Sequence, residues 1–171
     1  MLFRSGATPT FPVNKQLIVK KVIDHLSNEL GLFHRAAKAA FDEATDEQNK
    51  SESKYDTRGL EASYLARGQA RQVAETEQAI AQFKSMTLPS FGPADPIALG
   101  ALVELDRGRD RALYLIGPCA GGTEIQHGGK NLLVITTQSP LGRQLVGRKQ
   151  GDRVAIELGG SRNEHRIVSV T

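Results

Sequence analysis

The stretch VKKVIDHLSNELGLFHRAAKAAFDEA, residues 19–44, places Val19, Ile23, Leu26, Leu30, Phe33, Ala37, Ala40 and Ala44 at alternating steps of four and three. That spacing is a heptad seam sustained for more than three heptads, and it predicts one long helix that pairs with another. The seam tapers from Leu and Phe to Ala, so the partner helix comes closer toward the far end. A second helix is expected from about residue 54 to 85, with the seam Ala62, Ala66, Val73, Ile80 and Phe83. Gln69 and Thr76 occupy the two remaining seam positions. Both helices carry large residues at one end and small ones toward the middle. Antiparallel pairing matches large to large and small to small, which predicts a helical hairpin. A helix of about 30 residues spans roughly 45 Å, a length suited to reaching rather than enclosing. Gly59 and Gly68 interrupt the second helix, as tolerated glycines on an open face or as points of close packing.

Outward from the hairpin the chemistry changes. Residues 15–88 contain no proline and are rich in Ala, Glu, Gln, Lys and Arg, whereas residues 89–171 hold Pro89, Pro93, Pro96, Pro118, Pro140 and most of the glycines. The change falls in SMTLPSFGPADP, residues 85–96, a cluster of turn formers. The expected organisation is an N-terminal tail 1–14, a hairpin 15–88 with its tip at about 42–56, a linker 89–96 and a second domain 97–171. In that domain ALGALVELD (98–106), RALYLIG (111–117), NLLVITT (131–137), DRVAIEL (152–158) and HRIVSVT (165–171) read as strands. Ser139 suits an N-cap, Pro140 the first helical turn and Gly147 the end of a short helix. Leu141 and Leu145, one turn apart, are expected in the core, with Arg143 and Arg148 exposed. The class is α+β: an antiparallel helical hairpin followed by a small antiparallel sheet with one short helix.

Composition narrows the chemistry. The chain has 171 residues, 22 Lys and Arg against 19 Asp and Glu, and 5% aromatic residues. No run approaches the ~18 apolar residues of a spanning helix, and no secretory leader is visible. A soluble protein of a reducing compartment is expected, because Cys119 stands alone and excludes an internal disulfide or a Cys-based zinc site. GGK at 128–130 fails as a phosphate loop: Glu124 stands where Gly is needed and Asn131 where Ser or Thr would hold magnesium. A hairpin turn is the expected use of Gly128 and Gly129. His25, His34, His127 and His165 show no metal-ligand spacing, and no nucleophile elbow is present.

One cluster stands out. DEATDEQNKSESKYD, residues 42–56, carries Asp42, Glu43, Asp46, Glu47, Glu52 and Asp56 at the expected tip. Such a stretch is a solvated turn, or a carboxylate group carried on an arm into another protein's site, where a hard cation is shared with substrate phosphates and waters. Arg58, Arg67 and Arg71 are expected along one flank of the second helix, near any nucleic-acid backbone that the arm meets.

A hairpin with an acidic tip, followed by a small sheet domain containing SPLGRQLVGRKQGDRVAIE (139–157) and the final HRIVSV, resembles the GreA/GreB family of bacterial transcription elongation factors. Ser-Pro, a short apolar helix, Gly-Arg, Gly-Asp and an alternating strand carry the likeness, and KYDTRGLEASYLARGQARQVAETEQAI extends it into the hairpin. The resemblance implies an FKBP-like C-terminal domain docking on RNA polymerase at the mouth of its secondary channel, through Ser139, Pro140, Arg143 and Arg148. The hairpin then enters the channel. Asp46, Glu47 and Glu52 would assist a polymerase magnesium ion in hydrolysis of backtracked RNA. The implied protein is a cytoplasmic monomer that is no enzyme by itself, holds no metal or cofactor alone, and meets nascent RNA and DNA only inside the elongation complex. The tip departs from the family pattern Asp-x-x-Glu-Asn-x-Glu-Tyr. Asp46 is followed three residues later by Asn49, and Glu52 by Ser53, Lys54 and Tyr55. The alternatives are a Gre-like channel blocker that inhibits without cleavage, and a coiled-coil adaptor unrelated to polymerase. Prolyl isomerase activity ranks lowest, for want of an aromatic-rich pocket.

Overall fold

A computed structural model describes residues 14–45, 57–108, 110–158 and 161–171. Helices α1 (Lys15–Thr45) and α2 (Arg58–Ser85) precede strands β1 (Leu102–Arg107), β2 (Asp110–Gly117), β3 (Glu124–His127) and β4 (Lys130–Thr136). Helix α3 (Pro140–Leu145) and strands β5 (Arg153–Leu158) and β6 (Ser161–Val170) complete the order, an α+β fold.

The two helices pack against each other along the expected seam. Every seam residue of α1, from Val19 to Ala44, is buried or half-buried, and so are Ala62, Ala66, Gln69, Val73, Thr76, Ile80 and Phe83 of α2. The large residues Leu26, Ile80 and Phe83 lie at the sheet end, and the small Ala40 and Ala62 are buried farther out. Taper and direction agree with antiparallel pairing. Among the described residues Gly68 has nothing within 4 Å of the place a Cβ would take, so of its two readings the open face is the observed one.

The sheet has six strands in the order β3-β4-β2-β1-β6-β5. It is mixed rather than wholly antiparallel, because β2 and β4 run parallel from Leu113–Leu132 to Gly117–Thr136. The cause is β3, a strand that the sequence reading omits. It occupies the outer edge and turns back through Gly128 and Gly129, both at positive φ (58° and 76°), so β4 returns in the direction of β2. The two-residue Gly-Gly turn is the hairpin expected of GGK. Residues 98–101, expected as strand, form a turn instead, with Gly100 at φ 85°.

Both sheet faces are covered. One carries Leu102, Leu115, Leu132 and Val134 beneath Ile18, Val22, Ile80 and Phe83, so the base of the hairpin and the sheet share one core. The other carries Val103, Ile116, Ile135, Ile156 and Ile167 beneath Leu145 and Ile97. Burial on two faces explains why LYLI and LLVI are unbroken apolar runs, whereas RVAIEL alternates. Among the described residues no helix is long and apolar enough to cross a membrane.

Candidate functional site

Three places carry candidate functional side chains. The first is the far end of the hairpin. Helix α1 spans 31 residues, about 46 Å at 1.5 Å per residue. It carries exposed Asp42, which accepts a 2.6 Å hydrogen bond from Lys38 Nζ, and exposed Glu43. Asp46, Glu47 and Glu52 lie outside the described residues. On α2, Arg67 and Arg71 are exposed and one turn apart. Glu75 Oε1 accepts from Arg71 Nε at 2.7 Å, and this bond holds the guanidinium pKa above its ordinary value. Arg58 is nine residues before Arg67, about two and a half turns, so their backbone positions fall on opposite sides of the helix. The side chain of Arg58, expected on the same flank, lies outside what the structure describes.

The second place is the Ser139–Gly151 unit. Ser139 Oγ accepts from Gly142 N at 3.0 Å and donates to Thr136 O at 2.8 Å, a working N-cap with Pro140 in the first turn. Leu145 is fully buried, Leu141 packs on the same core, and Arg143 and Arg148 are exposed. The unit is pinned to the segment before β1. Ile97 N donates to Arg148 O at 2.8 Å and Gly147 N to Ile97 O at 2.9 Å. Two large apolar side chains stand exposed beside these bonds, Leu99 at 42% and Val146 at 40%, with exposed Lys149 next to Arg148. Sequence reasoning missed both. Val146 directly follows core Leu145, and Leu99 falls in a stretch that reads as a strand. The only available signal was that Val146 falls outside the Leu141–Leu145 spacing.

The third is an open groove of about 810 Å³ between the hairpin and the sheet, lined by His25, Glu29, Gln72, Glu75, Cys119 and Glu124, among others. Cys119 Sγ lies 3.9 Å from Ala79 O, and burial pushes its thiol pKa up, the reverse of an activated nucleophile. Among the described residues no group of three or more His, Cys, Asp or Glu is placed to hold a metal ion.

A long two-helix arm rooted on a two-faced mixed sheet, with a capped, cation-bearing helix on the sheet's far side, defines a class: a helical-hairpin arm carried on an α+β sheet domain. Residues 92–171 match the family described as "Transcription elongation factor, GreA/GreB, C-term". The second half of the chain is thus similar to the C-terminal domain of GreA and GreB. A transcription elongation factor GreA of Nitratidesulfovibrio vulgaris is 27% identical over 154 residues, covering 88% of this chain and 86% of its own. A second GreA, from Maridesulfovibrio salexigens, is 29% identical over 97 residues, 55% of this chain and 56% of its own. Crystal structures of GreA factor homolog 1 (Gfh1) from Thermus thermophilus and of Gfh1 from Thermus aquaticus overlap 87% and 88% of this chain and 94% of theirs. Their identities are 19% and 22% and their TM-scores 0.37 and 0.38.

Proposed function

We propose that this chain is a cytoplasmic transcription elongation factor that binds bacterial RNA polymerase as a monomer and acts on backtracked complexes through the secondary channel. The observation that carries this reading is the similarity to a GreA over 154 residues, through both arm and sheet domain. The sheet domain docks through Ser139, Pro140, Arg143 and Arg148, where exposed cations and the apolar Val146 and Leu99 offer a mixed contact surface. The arm brings Asp46, Glu47 and Glu52 to the polymerase's magnesium. A second cation there lowers the pKa of the attacking water and neutralises developing phosphate charge. The bond-breaking centre belongs to the polymerase, and this chain is a cofactor protein. Arg67 lies beside the RNA once the arm is inserted.

The test replaces Asp46→Asn, Glu47→Gln and Glu52→Gln together, since amides keep size and hydrogen bonding but lose the charge that holds a hard cation. On a stalled, backtracked complex, cleavage is expected to fall at least about 100-fold while polymerase binding stays within about twofold, a change of about 2.7 kcal/mol or more in the barrier. Wild-type protein that binds and slows synthesis without cleaving would make the chain a channel blocker. Absence of polymerase binding would overturn the assignment and leave a coiled-coil adaptor.

A further inference from the structure

Lys15, in the first turn of α1, touches two segments far from it in sequence. Its Nζ donates to Pro89 O in the segment joining α2 to the sheet domain, and to Gly100 O at 3.2 Å in the turn before β1. It also stands 4.9 Å from the centroid of the Phe91 ring, within range of a cation–π contact. The ammonium thus has two carbonyls and an aromatic face, and half-burial lowers its pKa from the ordinary lysine value. Those partners are themselves fixed. Gly100 N donates to Ile116 O at 2.9 Å, fastening the turn to β2. A Cβ on Gly100 would come within 3.0 Å of Thr87 O and 3.1 Å of Pro89 Cδ, so the joining segment lies directly on this turn. Phe91 packs against the core on the far sheet face.

We propose that Lys15 is the positioning residue of the joint, gathering the start of α1, the joining segment and the turn before β1 into one corner that sets the direction of the arm. The lever makes this corner matter. Over a 31-residue helix of about 46 Å, a tilt of about 10° at the base moves the far end by about 8 Å. The shared apolar core resists separation of arm and sheet but is non-directional. Charge-assisted hydrogen bonds fix orientation. A second lysine, Lys21, donates to Gln126 O at 2.9 Å and ties the arm to β3, about one and two-thirds turns farther along. The inference concerns the free protein and stands whether or not polymerase is the partner.

The experiment places spin labels at Ala70→Cys on the arm and Gln150→Cys on the sheet domain, in a Cys119→Ser background, and reads the distance distribution. Lys15→Met is expected to widen the distribution at least twofold with helix content and melting temperature unchanged. Lys15→Arg, which keeps the cation, should restore most of the narrow width, and Phe91→Leu should widen it by a smaller factor. A wild-type width in folded Lys15→Met overturns the proposal. Should Lys15→Met lose helix content, Phe91→Leu decides: a widened distribution supports the corner, and an unchanged one overturns it.

Discussion

At the scale of single residues, two glycines that look alike in sequence have opposite requirements. A Cβ on Gly142 would sit 1.9 Å from Thr136 O and 2.9 Å from Ser139 Oγ, the atom that caps α3. The backbone of β4's end can be this close to the short helix only because residue 142 lacks a side chain. Gly142→Ala is therefore expected to lower stability by about 3 kcal/mol or more, through overpacking combined with loss of the cap, as read by denaturant unfolding. Gly68 meets nothing within 4 Å and lies in the interior of α2. Gly68→Ala should raise stability by about 0.5–1 kcal/mol, seen as a melting temperature higher by a few degrees. A lower melting temperature would show that the position is packed after all.

At the scale of elements, the seams of α1 and α2 were legible because a 3.5-residue apolar period has few other uses. Even the polar exceptions fell where the spacing put them. Thr76 is buried, its Oγ1 donating to Gln72 O at 2.8 Å within its own helix. Gln69 is less well served: its Oε1 is buried and, among the described residues, has no hydrogen-bond partner. Gln69→Leu should stabilise the hairpin by about 1 kcal/mol, since an unpaired polar atom in a seam carries a desolvation cost that an apolar side chain lacks. Thermal unfolding of the full chain reads the change. Other elements left weaker traces. β3 is the four-residue run Glu-Ile-Gln-His, with one apolar side chain, Ile125, packed inward, so no alternation distinguishes it from a loop. Ile18 and Val22 flank the seam, and their contact with the sheet depends on tertiary packing that no heptad count reveals. Of the candidate site, Ser139 and Pro140 were readable because capping chemistry is local.

At the scale of the whole molecule, arm and sheet are not independent bodies. Phe83 is 1% exposed and shares a core with Leu102, Leu115, Leu132 and Val134. A fragment of residues 97–171 would turn that face to water, an apolar patch of the kind that drives association. The fragment is expected to bind a hydrophobic dye strongly and to self-associate at micromolar concentration, whereas the full chain unfolds in one transition. A monodisperse fragment with a native-like melt would show that the far-side core alone suffices.

The placement of β6 has a consequence for the order in which the molecule can be made. Residues 161–170 form the last strand in sequence, yet they lie inside the sheet, between β1 and β5. Edge strand β5 joins the sheet only through its pairing with β6. During synthesis the hairpin can zip as soon as α2 emerges, because its contacts are antiparallel and local. β1, by contrast, waits for a neighbour more than about 60 residues on (Leu105 pairs with Ile167 and Val103 with Val170), and closing so long a loop is entropically slow. Until then Val103 and Leu105, on the far face of β1, lack the cover of Ile167 and Val170. The nascent protein therefore has its arm before its sheet.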